Sequence, residues 1–295
     1  MVEPDWKHIE RETTLVLHDT IFLGEGWDFV AYLVNAEFVF RFPKRRSHWN
    51  DLHREIAFLK FAGDKLPLAV PRYVRVMADS RSAPNGYAVY RYLPGRPLDM
   101  NAFDPDERAA AVVRIAAFLR SLHRLRPDQS VSALLPREDA RLIAEGYRAY
   151  AERDIVSKLS PYAVLALREL FAEHLGTPAN FTFRPAVLHA DLSREHLLAE
   201  NNSVTAVIDF GDVNWGDADY DFTYLFIDFG ADFALEVAQQ YGHPDVERLA
   251  RKLRYFAAVD QIDTIVHGEG RALEGQTAAA WKQLKRLLID DSTSG

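Results

Sequence analysis

Two aspartates, Asp191 and Asp209, carry most of the chemical information in this chain. The first sits in Val187-Leu188-His189-Ala190-Asp191-Leu192-Ser193-Arg194-Glu195-His196, the second in Val207-Ile208-Asp209-Phe210-Gly211-Asp212. Kinase catalytic loops read H-R-D-x-x-x-x-N, and their metal turn reads D-F-G. Here a His stands two positions before Asp191, His196 stands five after it, and Asp209 follows at eighteen. Phosphoryl transfer calls for two acids with different tasks: one at the acceptor hydroxyl, one at the Mg²⁺ that bridges the phosphates. Either acid alone could cap a turn or end a strand. In this order and at this spacing they read as a catalytic loop followed by a metal-binding turn.

The intervening residues read as a hairpin that joins the two motifs. Leu197-Leu198 closes one strand, Ala199 to Ser203 turns, and Val204 to Ile208 opens the next. Upstream, Leu15–Leu23, Asp28–Val34, Glu37–Phe42, Tyr73–Met77 and Tyr87–Tyr92 read as strands. Asn35-Ala36 forms a tight connection, and Asp51–Ala62 forms a helix with apolar Leu52, Ile56, Leu59 and Ala62 on one stripe. Downstream, Asp104-Pro105-Asp106-Glu107 is a strong helix start for a segment ending near Leu122. Further helices are predicted over 141–156, 162–174, 220–241, 245–267 and 276–289. The polar tail 290–295 reads as loose. The pattern predicts an α+β chain in two lobes: a small β-rich lobe over 1–92, a hinge at Leu93-Pro94-Gly95, and a mainly helical lobe over 96–295.

At these motifs the chain resembles the aminoglycoside phosphotransferases, a group related to macrolide and choline-like kinases. It is most similar to their 2″ branch. The shared stretches are Gly24 to Tyr32, Phe38 to Lys44, Lys65 to Leu68, Gly95 to Leu98, the catalytic loop and Ile208 to Asp212, spread between about residues 20 and 270. The resemblance implies a protein-kinase-like fold. It also implies transfer of the γ-phosphate of GTP or ATP, with Mg²⁺, to a hydroxyl of a small, cationic molecule.

The resemblance assigns roles residue by residue. Asp191 is the catalytic carboxylate and Asp209 the metal ligand. His196, where protein kinases have Asn, is either a second ligand or a histidine that bonds only the loop; Mg²⁺ prefers oxygen. Arg41 stands where the family usually has the phosphate-gripping Lys, with Glu55 as its helix partner. Lys44 is the other candidate, and in a strict strand the two point to opposite faces. Gly24 and Gly26 could let the backbone approach phosphates, although such a pair is usually a plain turn. Arg91 and Leu93 would offer backbone groups to the base. Tyr90 would shorten the pocket behind it, which in this branch goes with use of GTP, or would simply pack the core. Asp228, Asp232 and Asp263, with Asp260 and Glu274 behind them, are the acceptor candidates. Asp228 and Asp232 share a face only if their helix runs through Gly230. Aromatic Phe226, Phe229 and Phe233 keep open a macrolide, choline-like or sugar acceptor. Arg41 and His196 keep open a nucleotide-binding module without turnover. Of the remaining acids, Asp221 is expected to brace the catalytic loop, and Asp217 and Asp219 to serve as loop or helix-start residues.

Composition is compatible with this and excludes other classes. The 295 residues are 48% hydrophobic and 26% charged, the balance of a globular protein. The net charge of −8 argues against nucleic acid and favours a cationic ligand. The chain has no Cys, in keeping with a cytoplasmic setting. The charged start carries no leader-like apolar core. No apolar run reaches the roughly 20 residues of a membrane span, and no obligatory protein partner is indicated.

Overall fold

A computed structural model describes residues 4–78, 80–81, 83–269 and 274–289, the side chains of Glu269 and Glu274 excepted. The tail at 290–295 and the Glu274 side chain therefore lie outside the described residues. The chain divides into two compact units: Met1–Pro136 with Arg194–Asn214, and Arg137–Ser193 with Trp215–Gly295.

The first unit opens on a short helix that the sequence pattern misses, α1 (Trp6–Thr13). It then forms a five-stranded antiparallel sheet from β1 (Thr20–Glu25), β2 (Phe29–Val34), β3 (Phe38–Pro43), β4 (Tyr73–Met77) and β5 (Tyr87–Arg91), in the order β1-β2-β3-β5-β4. Asn35 and Ala36 both take positive φ, 54° and 52°, as a two-residue hairpin turn demands. The Asn35 amide helps fix that turn by accepting from His18 N–H and donating to Val16 O. Trp6 meets the rings of Tyr32, Phe40 and Phe42 edge-on, so α1 covers an aromatic sheet face. Helix α2 (Trp49–Ala62) buries Leu52, Glu55, Phe58, Leu59 and Ala62.

The remainder of this unit, 96–136 and 194–214, is joined by strand pairing and backbone bonds. Strand β6 (Arg96–Pro97) pairs with β8 (Leu197–Glu200), which pairs with β9 (Ser203–Val207). Backbone bonds from Ala69 N–H to Thr205 O and from Val207 N–H to Ala69 O tie that hairpin to the segment after α2. Asn201 and Asn202 make its turn, again with positive φ. Helix α3 (Pro105–Arg124) starts on a capping box, with Asp104 and Glu107 bonding each other's backbone N–H. A one-turn helix, α4 (Gln129–Ser132), follows.

The second unit is mainly helical: α5 (Ala140–Tyr150), α6 (Pro161–Gly176), α7 (Thr223–Phe229), α8 (Ala231–Tyr241), α9 (Val246–Glu269) and α10 (Glu274–Ile289), with β7 (Ala186–Leu188) pairing β10 (Asn214–Gly216). Ile155, Leu167, Phe171, Ile262, Ile265 and Leu284 belong to its core. The single helix predicted over 220–241 is in fact a 3₁₀ turn and two helices. Gly230, at φ 88° and ψ 170°, breaks it. Asp228 and Asp232 are therefore not one turn apart on a continuous helix, which corrects the shared-face expectation. Among the described residues no helix is long and apolar enough to cross a membrane.

Candidate active site

In the first unit a buried charge cluster is built on β3. Arg41 stands opposite Ala31 of β2 and Ala88 of β5, and only 5% of it is exposed. Its Nη1 donates to Glu55 Oε2 at 2.6 Å and to Tyr73 Oη at 3.3 Å, and its Nη2 donates to Asp209 Oδ1 at 3.0 Å. Tyr73 donates in turn to Glu55 Oε1 at 3.0 Å. The guanidinium also lies 4.4 Å from the Phe29 ring centroid. Burial by itself would weaken the Arg41 charge, but Asp209 and Glu55 raise its pKa well above the usual value. Burial pushes the Glu55 carboxyl up, and Arg41 opposes that rise. Lys44 lies past the last residue of β3 and pairs with Glu25 at 3.2 Å. Of the two basic candidates, Arg41 is the one at Glu55.

Asp209 takes φ 62°, a left-handed conformation that non-glycine residues seldom adopt. Its neighbours hold it there. Phe210 is fully buried against the rings of Phe58 and Phe118. Arg54 donates to Gly211 O. His196 O accepts from Ile208 N–H at 2.9 Å, and His196 Nε2 lies 3.7 Å from Asp209 Oδ2. No group of three or more His, Cys, Asp or Glu suited to a metal is found among the described residues. A two-donor set nevertheless fits Mg²⁺, which commonly takes one or two protein ligands and completes its shell with phosphates and water. The carboxylate is the better-matched donor, the imidazole the softer one.

The second unit holds Asp191. Strand β7 leads into His189, fully buried, and Ala190 at φ 68°. Asp221 accepts from His189 N–H at 3.0 Å and from Ala190 N–H at 2.7 Å, which is the bracing role expected of it. Asp191 N–H donates to His189 Nδ1 at 3.3 Å. The strained residue before Asp191 is thus held through its own backbone. Asp217 caps the 3₁₀ turn that carries Asp219 and Asp221, also as expected.

The acceptor candidates of this unit have tyrosine partners that sequence reasoning did not supply. Tyr224 donates to Asp260 Oδ1 and Tyr147 to Asp263 Oδ1, each at 2.6 Å. Burial pushes Asp260 up to about 6, the Tyr224 bond opposes the rise, and the charges of Asp263 and Asp228 add to it. Asp263 also lies 3.1 Å from His267 Nδ1. Asp232 is exposed in the first turn of α8.

The other expected residues all fall in the first unit. Gly24 lies in β1, and Gly26 N–H donates to Phe29 O in the turn that follows. Tyr90 is nearly buried on β5, 5.4 Å from the Tyr73 ring. Arg91 is exposed and pairs with Glu37, and Leu93 is half-buried just beyond β5. Tyr73 joins the Arg41 cluster without any motif to announce it. Its only sequence signal is a large aromatic on a strand of the same sheet.

Comparison with known proteins identifies the family. Residues 19–253 match the model of the phosphotransferase enzyme family. The GDP complex of wild-type aminoglycoside 2'-phosphotransferase-IIIa is 26% identical and superposes with a TM-score of 0.90, covering 97% of this chain and 98% of that one. A GDP and kanamycin complex of APH(2")-IIia is 26% identical over the same shares of both chains, with a TM-score of 0.89. Macrolide 2'-phosphotransferase type I shares the fold at 20% identity, covering 94% of each chain with a TM-score of 0.73. With its kinase-like α+β fold, the chain belongs to the phosphotransferase enzyme family, whose members act on alcohol groups.

Proposed function

We propose that this protein transfers the γ-phosphate of GTP or ATP to a hydroxyl of an aminoglycoside, and so blocks a drug in the cytoplasm. The reading rests on one observation above others, the buried Arg41–Glu55 pair that also reaches Asp209. Full-length likeness to aminoglycoside phosphotransferases supports the acceptor class. Residues 1–92 hold the nucleotide, with Gly24 and Gly26 near its phosphates and Tyr90, Arg91 and Leu93 around its base. Residues 93–95 serve as the hinge, and 96–295 carry the catalytic loop and the acceptor site.

Arg41 grips phosphate oxygens through the N–H groups not already donated to Glu55, Tyr73 and Asp209, and those three partners fix the direction of its fork. Asp209 and His196 would hold Mg²⁺, which when bound neutralises charge on the phosphate oxygens. Asp191 orients the acceptor hydroxyl and takes its proton late, because a loose transition state asks little early deprotonation. Asp228, Asp232 and Asp263 receive ammonium groups of the acceptor. Transfer is direct and in line, without a phosphoenzyme. A second reading, a macrolide or other less cationic acceptor, is favoured by the half-buried Phe226 and Phe229; Phe233, expected beside them, is buried in the core, its ring 5.1 Å from that of Phe229.

The test is a panel of aminoglycosides and macrolides with GTP and with ATP, read by mass for an added phosphate. Phosphorylated aminoglycoside is the expected product. Phosphorylated macrolide alone would move the protein to the second reading. Thermal stabilisation by nucleotide with no product from any acceptor would leave a binding module and end the proposal.

A further inference from the structure

Lys252, in the middle of α9, is 3% exposed, yet its ammonium contacts two carboxylates. Its Nζ donates to Asp217 Oδ2 and to Asp219 Oδ2. His243 joins the same cluster from the α8–α9 connection. Its Nδ1 accepts from Asp245 N–H at 3.1 Å, so its proton lies on Nε2, which meets Asp219 Oδ1 at 2.9 Å. Asp245 in turn accepts from Arg248 N–H in the first turn of α9. A closed circuit runs from the start of α9 through Asp245, His243, Asp219 and Lys252 back to α9. Asp219 is only 6% exposed, but despite burial His243 and Lys252 hold it down to about 2. Burial and the Asp219 charge push Asp217 up.

A buried triad of this kind stabilises poorly, because desolvation offsets much of the attraction between its charges. Its bonds are directional, however, and they end on the turn at 217–222. That turn carries Asp221, whose two oxygens hold His189 and Ala190, and Ala190 is the residue at φ 68° directly before Asp191. We infer that Lys252 is a positioning residue for phosphoryl transfer: with His243 it clamps the 217–222 turn to α9, and through Asp221 it keeps the Asp191 loop in its strained conformation. The clamp contains none of the residues that the proposed function gives to the nucleotide. Its loss should therefore lower turnover and leave nucleotide affinity alone.

The inference rests on the kinase reading for its turnover signal, and hydrogen exchange supplies a signal that does not. Lys252→Met alone would strand two buried carboxylates and could fail to fold. The working variant is therefore Lys252→Met with Asp217→Asn and Asp219→Asn, which keeps shape and removes charge. Asp219→Asn alone is the milder companion. Leu284→Ala, in the α10 core, serves as a control that loses stability by another route. In the triple variant kcat should fall at least about tenfold, nucleotide KM should stay within about twofold, and the amides of His189 and Ala190 should exchange faster. Asp219→Asn should shift the same readouts less, and Leu284→Ala should leave them in place. Unchanged protection of those two amides in the folded triple variant, or in Asp219→Asn if the triple variant does not fold, overturns the inference. So does a loss of kcat equal to that of Leu284→Ala. A wild-type protein that yields no product with any acceptor counts against the kinase reading, and the exchange data still decide the clamp.

Discussion

Arg41 holds two carboxylates with two different nitrogens, Glu55 through Nη1 and Asp209 through Nη2. One ammonium cannot reproduce that fork. Arg41→Lys should therefore fold normally but lose about tenfold in kcat/KM for nucleotide, read by steady-state kinetics. Arg41→Ala leaves the Glu55 charge buried with only Tyr73 beside it and should cost about 3–5 kcal/mol in urea unfolding. Asp191→Ala and Asp209→Ala should each lower kcat about a hundredfold or more with unchanged circular dichroism, and near-normal turnover in either would remove its assigned role. Asp260 gives a pH signature. Its folded-state pKa is raised to about 6, so the carboxyl is neutral below that value and charged above it. KM for a cationic acceptor should fall as pH rises through about 6, and Asp260→Asn should flatten that dependence. Arg41, Glu55 and Asp221 were legible in the sequence because motif position names them. Tyr73 and Lys252 were not, since their partners are brought close only by sheet register and helix packing.

Elements were legible where a local rule fixes them. The Asn35-Ala36 turn, the capping box at Asp104 and the Asn-Asn turn between β8 and β9 depend on a few adjacent residues, and each forms where the sequence predicts. Helix α1 was not legible: eight residues with Trp6 and Ile9 as their large apolar anchors make no recognisable stripe, and the aromatic sheet face beneath is assembled from distant strands. The grouping of 96–136 and 194–214 with the sheet was hidden for a related reason, because it follows from pairings between β6, β8 and the segment at Ala69. Gly230 is an intermediate case, visible as a residue but not as a break. At φ 88° and ψ 170° it occupies a region nearly reserved for glycine, and a Cβ there meets no steric neighbour. Gly230→Ala should therefore cost about 1–3 kcal/mol through backbone strain alone. It should also displace Asp228 relative to Asp232, raising acceptor KM at constant nucleotide KM. A variant with unaltered acceptor KM would remove this break from the acceptor site.

Charge is the property that belongs to the whole chain. It carries 43 acidic residues against 35 Lys and Arg, for a net −8. A surface of that sign attracts polycations and repels polyanions over about a Debye length, about 8 Å at physiological salt. The two substrates of the proposed reaction have opposite charge, so salt should act on them in opposite directions. Raising ionic strength should raise KM for an aminoglycoside, because screening removes both the long-range attraction and part of the exposed ion pairing at Asp232 and Asp263. The same change should leave nucleotide KM level or lower it, because the repelled partner gains from screening while the Arg41 cluster is buried and little affected. A mostly apolar acceptor has less charge to screen, and its KM should be nearly flat with salt. Steady-state kinetics at low and high salt therefore separate the two acceptor readings without a structure of either complex. A flat aminoglycoside KM would mean that the acid-rich surface does not recognise the acceptor, and recognition would then rest on the half-buried Phe226 and Phe229 rather than on Phe233, which is buried in the core.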